Sequence, residues 1–470
     1  MRKRLAKILA TVGPASMSPD MLKLLHEVGV DAFRLNFSHG THEDHGKAIK
    51  AIRVIEKHSG NSIAIVADMQ GPKIRVGTFK NGQFELQYGK TVILELGDTP
   101  SSVENIPLPH PEIFKVLKPG HILKFDDGKF MVTIIKGGLK TLEARVDVPG
   151  ILRNKKGVNV IGAVLPMSAM TEKDKIDMDY ALSLDVDFIA LSFVQTGQDV
   201  IDARKIIGNK AGIIVKIEKP SAVDDIAAIM ELADVAMIAR GDLGVELPLE
   251  DVPVVQRKII TTARTLGKPV IVATHMLESM IDASTPTRAE ASDVANAIYQ
   301  GTDAVMLSAE TAVGRHPATA VAIMDRIIQA AEHDPTYTDY CMHNNLGPSA
   351  TVNDAISQSV RSIAQVLNCK AILGFTKSGS TVRRMARERP PCRILGLTPD
   401  KSVASRMALT WGVRPVVMDD PKGFHDMLTS TQAIAKEQAQ CVPGDKIIIT
   451  AGIPFGRPGT TDTLKIATID

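Results

Sequence analysis

Aromatic side chains are scarce, at 4% of 470 residues with a single tryptophan. That excludes the repeated stacking platforms on which single-stranded nucleic acids are held. Charge of either sign is not in excess: the formal net charge is +2, so no global field draws the chain to nucleic acid or an anionic membrane. The four cysteines, Cys341, Cys369, Cys392 and Cys441, are scattered without C-x-x-C spacing. That spacing speaks against a disulfide framework or zinc site and fits reduced thiols in cytosol. No apolar run approaches the ~18 residues of a membrane span. The opening MRKRLAKILATVGP has the basic start and apolar run of a short signal peptide, but the run at 8–12 stops at Gly13-Pro14 and suits a first strand better. These features predict a cytoplasmic protein with no nucleic-acid or membrane partner.

What the chain has is core material and a rhythm. Hydrophobic residues make up 44% and charged residues 23%, and the length exceeds what one core serves, so two or three domains are expected. From residue 5, strand-like and helix-like segments alternate: LAKILATVGP, AFRLNFSHG and SIAIVADMQGP read as strands, SPDMLKLLHEVG and HEDHGKAIKAIRVIEKHSG as helices. Between about 73 and 165 the pattern changes to Val- and Ile-rich runs punctuated by Asp-Gly and Asn-Gly, with no helix-length amphipathic stretch. The alternation then returns with DFIALSF, IIVKIEK, VAMIARGD, KPVIVATHML and DAVMLSAET, which brings the strand count to eight. The predicted architecture is α/β: a (β/α)₈ barrel over 1–71 and 166–335, with a small β-barrel domain inserted at 72–165. A polar linker at 333–348 leads to an open, doubly wound α/β domain over 336–470, with strands at KAILGFT, RILGLT, RPVVMD and KIIIT.

The stretch 213–248, IIVKIEKPSAVDDIAAIMELADVAMIARGDLGVELP, carries the most chemistry. Two apolar strand-like runs end on charge, one delivering Lys216 and Glu218, the next Arg240, Gly241 and Asp242. Strand C-termini of a parallel barrel face its active site. Two carboxylates delivered there could hold a hard divalent cation such as Mg²⁺, and Lys216 supplies a fixed cation for a phosphate or enolate oxygen. Any one of these residues alone is more cheaply a strand cap; the whole set at one end of successive strands is not.

RLNFSHG (34–40), GPKIR (71–75), KGVN (156–159), KIE (216–218), ARGDLGVE (239–246), ATHMLESM (273–280), PTRAE (286–290) and MLSAETA (306–312) together resemble the pyruvate kinase family, in order along nearly the whole chain. The resemblance implies phosphoryl transfer from phosphoenolpyruvate to ADP, giving pyruvate and ATP, in a homotetramer whose inserted domain closes over the nucleotide. It implies that Glu218 and Asp242 hold Mg²⁺ or Mn²⁺, and that Lys216 stabilises the phosphoryl in transfer and the enolate. Arg34 contacts phosphate oxygens, and Arg75, Lys156, Asn36 and His39 serve the nucleotide. Gly241 and Asp242 open a helix whose N–H groups suit the substrate carboxylate, and Thr274, Ser308 and Glu310 belong to the proton-delivery side. Asn36, Ser38, Asp68 and Met69 lie where the family binds a monovalent cation. Here Lys73 replaces the glutamate common at its position, as in K⁺-independent members. A tethered ammonium is a monovalent cation with no binding equilibrium, able to neutralise Asp68, so K⁺ is expected not to be required. His275 departs from the family's glutamine and receives no catalytic role.

In the last domain, the loop Thr376, Lys377, Ser378, Gly379, Ser380 and Thr381 follows a strand and precedes a helix, an arrangement that cradles phosphate. With Arg457 of a second Gly-rich loop it is a candidate site for a phosphorylated effector, against a tight turn without ligand. The arginines of RRMARER (383–389) read as a solvated helix face. Two other functions compete: a Mg²⁺-dependent barrel lyase acting on phosphoenolpyruvate or pyruvate, and a non-catalytic metabolite-binding paralogue. The insert and Lys156 speak against the first, intact Lys216, Glu218 and Asp242 against the second.

Overall fold

The structure, a computed structural model, describes residues 2–337, 339–340, 351–452 and 461–470. Most of the expected linker, Cys341 and Arg457 lie outside the described residues. The first strands, β1 (Lys7–Val12), β2 (Ala32–Asn36) and β3 (Ala64–Asp68), run parallel, and β1 and β3 are buried along their whole length. Such two-sided burial suits unbroken apolar runs. Between β2 and β3 the helix His42–Ser59 starts on a reciprocal cap between Thr41 and Asp44 and stops at Gly60, whose φ of 65° is left-handed.

The insert follows, with β4 (Gln83–Leu86), β5 (Thr91–Glu95), β6 (Asn105–Pro107), β7 (Ile122–Phe125), β8 (Phe130–Lys136), β9 (Thr141–Val148), β10 (Gly150–Arg153) and β11 (Val158–Ile161). Its strands are divided between a six-stranded sheet, β11-β7-β8-β9-β5-β6, and a two-stranded sheet, β10-β4. Leu123, Phe125, Val132, Leu142 and Val146 fill its separate core. It also carries one short helix, Pro111–Val116, which the sequence reading did not anticipate; six residues make fewer than two turns, too few for a 3.6-residue period to register.

The ring is completed by β12 (Phe188–Leu191), β13 (Gly212–Ile217), β14 (Val235–Ala239), β15 (Val270–Ala273) and β16 (Ala304–Leu307). The eight strands close in the order β1-β16-β15-β14-β13-β12-β3-β2. Leu9, Val66, Ile214, Met237, Ile271 and Met306 pack inside with Ala408 and Leu409 of the C-terminal domain. Lys7, at the start of β1, donates to Val413 O at 2.7 Å. The C-terminal domain therefore sits against the N-terminal ends of the strands and leaves the opposite mouth for chemistry.

That domain is an open sheet in the order β19-β18-β17-β20-β21, built from β17 (Ala371–Phe375), β18 (Arg393–Thr398), β19 (Val413–Val417), β20 (Lys446–Ala451) and β21 (Thr463–Thr468). β21 is antiparallel to β20 and was not anticipated; as an edge strand it has no buried residue and no apolar run to announce it. The solvated arginine face expected at 383–389 is corrected by the structure: Arg387 and Arg389 are 4% and 5% exposed. Arg387 pairs with Asp354 and Glu388 at 3.1 and 2.7 Å, while Arg389 lies 4.8 Å over the Trp411 ring. The helix Ser380–Arg387 packs on the barrel, where Arg264 donates to Arg387 O at 3.1 Å, so its last turn is an interdomain contact. Among the described residues, no helix is long and apolar enough to cross a membrane.

Candidate active site

Seven of the eight barrel strands, β2, β3 and β12 to β16, end on the open side where apolar residues give way to polar ones, and these ends converge. Arg34 near the end of β2 donates from Nε to Asp68 Oδ2 at 2.6 Å and from Nη1 to Thr11 Oγ1 at 3.1 Å. Asp68, the last residue of β3, is 1% exposed. Its other oxygen lies 3.6 Å from Lys216 Nζ, and the same ammonium reaches Glu218 Oε1 at 2.8 Å and Ser192 Oγ at 2.7 Å. Two cations and two carboxylates thus alternate across the ends of β2, β3 and β13.

The charges shift one another in directions their positions explain. Burial acts to lower the Lys216 pKa, but Asp68 and then Glu218 outweigh it and raise it well above the ordinary lysine value. Burial likewise opposes ionisation of Asp68, yet Lys216 and Arg34 hold its pKa below the usual carboxylate range. Glu218 is different: burial, reinforced by the negative charge of Asp242, pushes it up to about 7 against the pull of Lys216. A carboxylate so placed gains from any added cation.

Glu218 and Asp242 fit a hard divalent cation. Glu218 Oε2 accepts from Phe193 N at 2.8 Å, while Oε1, though buried, receives no directed hydrogen bond among the described residues. Asp242 sits in the first turn of the helix Arg240–Glu246, partly exposed. Among the described residues no group of three or more His, Cys, Asp or Glu side chains is arranged to hold a metal. Two protein carboxylates, with water and substrate oxygens in the remaining positions, are the ligand set that Mg²⁺ commonly uses.

Across the mouth, Thr274 Oγ1 accepts from Gly241 N at 2.7 Å and donates to Ala273 O at 2.7 Å. Thr274 and His275 have φ of 67° and 54°, a left-handed conformation that costs a β-branched residue roughly 1–3 kcal/mol. Arg240 holds it: Nη2 donates to Thr274 O at 2.7 Å and to His275 O at 3.3 Å, and Nη1 pairs with Asp293 at 2.7 Å. Ser308 and Glu310 follow β16. The buried Glu310 carboxylate accepts from Leu277 N and Ser308 N at 3.1 and 2.7 Å, bracing the two loops from beneath. Ser308 Oγ is buried with no hydrogen-bond partner among the described residues.

The structure brings Arg34, Asp68, Lys216 and Glu218 into direct contact, and Gly241 with Thr274. It keeps Arg75 and Lys156 on the insert: Arg75 donates to Lys155 O at 2.9 Å, and Lys156 pairs with Asp126 at 2.8 Å. Asn36 Oδ1 accepts from Ser38 N at 3.1 Å, His39 O accepts from His45 at 2.9 Å, and Met69 O accepts from Ser192 Oγ at 2.8 Å. Lys73 does not neutralise Asp68. Its Cε lies along Gly157 of the insert, 3.3 Å from where a Cβ there would stand, and its ammonium makes no ion pair with any described residue. Gly71, with φ 69°, explains that course: a Cβ there would fall 2.8 Å from Phe193 and 2.9 Å from Ser192 Cβ, so only glycine lets the chain turn so close to β12.

Ser192 was missed by the sequence reading. It stands just past the end of β12, in DFIALSF, so the strand-end rule that selected Lys216 applied to it equally. In the last domain, Gly379 N donates to Thr376 Oγ1 at 2.9 Å, Ser378 Oγ to Ser380 Oγ at 3.0 Å, and Lys377 pairs with Asp420 at 3.4 Å. Thr381 hydrogen-bonds to Thr461.

Comparison with known proteins decides the family. Residues 3–321 match the family model described as pyruvate kinase, barrel domain, and residues 354–467 match pyruvate kinase, alpha/beta domain. The chain belongs to the pyruvate kinase family. A pyruvate kinase of Agrobacterium vitis is 47% identical over 467 residues, covering 99% of this chain and 97% of that protein. One from Methylorubrum extorquens is 44% identical, covering 99% and 98%. The crystal structure of a pyruvate kinase from Cryptosporidium parvum superposes with a TM-score of 0.93 at 33% identity, covering 99% of this chain and 96% of that one. As a pyruvate kinase the chain is a phosphotransferase, and the barrel, the separate insert and the C-terminal sheet form the family's fold.

Proposed function

We propose that this pyruvate kinase transfers the phosphoryl group of phosphoenolpyruvate to ADP at the mouth formed by Arg34, Lys216, Glu218, Asp242 and Thr274. The observation that carries the reading is Lys216: an ammonium kept charged by two buried carboxylates, 3.6 and 2.8 Å away, at the strand ends. A β-phosphate oxygen of ADP attacks phosphorus, the bond from phosphorus to the enol oxygen breaks, and the resulting enolate is protonated at carbon. The protein supplies little covalent chemistry in such a transfer; it supplies position and charge. Arg34 and Lys216 neutralise the moving phosphoryl, and Lys216 stays beside the enolate oxygen as it forms. Glu218 and Asp242 would hold Mg²⁺ or Mn²⁺, which when bound polarises phosphoryl and carboxylate oxygens. The N–H groups opening the helix Arg240–Glu246 receive the substrate carboxylate, and Thr274, fixed by Gly241 and Arg240, orders the proton delivered to the enolate, with Ser308 and Glu310 behind it.

The insert, carrying Arg75 and Lys156, covers the nucleotide, with Asn36 and His39 on the barrel side, and excludes the water that would compete for the phosphoryl group. Because Asp68 is already met by Arg34 and Lys216, and Lys73 brings a further fixed cation to the seam between barrel and insert, turnover does not require K⁺ at Asn36, Ser38, Asp68 and Met69. The loop Thr376–Thr381 receives a phosphorylated effector; titration with a panel of sugar phosphates and nucleoside monophosphates tests this, and a panel with neither binding nor rate change leaves the loop a structural turn. The working form is a cytoplasmic homotetramer. Initial rates with phosphoenolpyruvate and ADP, coupled to detection of both pyruvate and ATP, test the main reading: products in equal amounts support it, and a rate independent of ADP points to a lyase.

A further inference from the structure

The insert reaches the barrel mouth through the same helix that carries Asp242. Lys124 of β7 donates from Nζ to Val245 O at 2.6 Å, and Asn159 of β11 donates from Nδ2 to Glu246 Oε1 at 2.8 Å. Glu246 is only 4% exposed. The same Oε1 takes the ammonium of Lys219, whose side chain is 14% exposed. Lys219 directly follows Glu218, and Asp242 lies one helical turn before Glu246 on the helix Arg240–Glu246. A single carboxylate oxygen, able to accept twice, therefore ties together the insert, the helix bearing Asp242 and the strand end bearing Glu218.

We infer that Glu246 is a positioning residue, a latch through which docking of the insert sets the separation of Glu218 and Asp242. The inference rests on reading those two as the metal ligands. Apolar side chains at 159 and 246 would hold two surfaces together at lower desolvation cost; a buried, charge-assisted pair instead fixes direction. Direction matters here because Mg²⁺ demands near-octahedral geometry at about 2 Å, so a small rotation of a seven-residue helix would spoil the site. Asn159 touches neither Glu218 nor Asp242, yet with the insert undocked the Glu246 carboxylate keeps, among the described residues, the Lys219 ammonium alone, and the last turn of the helix loses its tie to the insert.

The test is Mn²⁺ binding by electron paramagnetic resonance of free Mn²⁺ in the presence of ADP, on the full chain without turnover, alongside thermal midpoints. Asn159→Ala is expected to weaken Mn²⁺ about tenfold, the factor one hydrogen bond to a buried charge is worth, with the midpoint almost unchanged. In a Glu246→Ala background, or in Glu246→Met should that variant fold poorly, Asn159→Ala should add nothing. Mn²⁺ affinity of Asn159→Ala within twofold of the unmodified chain, or losses that multiply in the double variant, would overturn the latch. Glu218→Gln and Asp242→Asn go through the same titration. Unchanged Mn²⁺ binding in those two removes the metal-ligand reading and the latch with it; lost binding there, with Asn159→Ala unaffected, removes the latch alone.

Discussion

Replacing Lys216 with methionine removes one charge and keeps the length of the side chain, and the structure says what is left behind. The ammonium now meets Asp68 Oδ1 at 3.6 Å, Glu218 Oε1 at 2.8 Å and Ser192 Oγ at 2.7 Å. Among the described residues, neither carboxylate oxygen has a directed hydrogen bond to take its place. Asp68 still has Arg34 at 2.6 Å; among the described residues Glu218 keeps only the N–H of Phe193. Two effects follow. Loss of a preorganised charge at the transition state costs about 3–4 kcal/mol, so kcat should fall by roughly 10²–10³. Breaking a buried pair by removing one partner costs up to ~3–5 kcal/mol, but Glu218 has an escape, because its pKa already stands at about 7 and rises further without the lysine. A group whose folded pKa is raised stabilises the fold below that pKa and ceases to as pH climbs through it. The stability deficit of Lys216→Met relative to the unmodified chain should therefore be small near pH 6 and grow toward pH 8.5. Coupled initial rates and thermal midpoints across that range measure both. A kcat within tenfold of the unmodified chain, or a midpoint deficit indifferent to pH, would refute the reasoning.

Glu218→Gln and Asp242→Asn should each cut turnover severely and raise the Mg²⁺ concentration for half-maximal rate; near-normal rates at ordinary Mg²⁺ would defeat the assignment. In tetramethylammonium buffer free of K⁺, NH₄⁺ and Na⁺ the unmodified enzyme should retain most activity, while Lys73→Glu should be slower and K⁺-responsive; strong K⁺ activation of the unmodified enzyme at matched ionic strength would end the proposal. At the other end of the barrel, Asp31, its side chain 11% exposed, lies beside Arg4, Arg2 and Lys7, and although desolvation opposes ionisation they hold its pKa far below the usual carboxylate range. Its stabilisation is complete above its unfolded pKa near 4 and disappears as pH falls further, so Asp31→Asn should lower the thermal midpoint at pH 7 and flatten its loss between pH 5 and 3; parallel curves would contradict this. His275→Gly, which relieves a φ of 54° at an exposed side chain, should leave kcat within about threefold; a larger drop would give His275 a role in the reaction.

The barrel was legible because its strands are local: KILATV, AIVAD and VAMIA are buried throughout, so each is built round a short apolar run, and the charged residues at or after the ends of AIVAD and VAMIA stand out. Glu218 and Asp242 could be named for that reason, and Arg34 through the resemblance. The hydrogen bonds of Asn159 and Lys219 to Glu246 were not legible, since they join residues 87 and 27 positions apart and no period marks either partner. Arg387 and Arg389 failed for the converse reason. They sit at the end of a charged helix and just past it, in a stretch that looks solvated until the barrel is placed against it. Lys73 shows where inference by residue type stops: its charge suggested a contact with Asp68, but Gly71 turns the backbone there and sends the side chain toward the insert.

The most direct test of the whole account is a single experiment on the purified chain: initial rates with phosphoenolpyruvate, ADP and Mg²⁺, with pyruvate and ATP both quantified, beside Lys216→Met. The account requires pyruvate and ATP in one-to-one ratio, no pyruvate without ADP, and a fall of at least a hundredfold in the variant. Pyruvate formed without ADP, or a variant as fast as its parent, would contradict it.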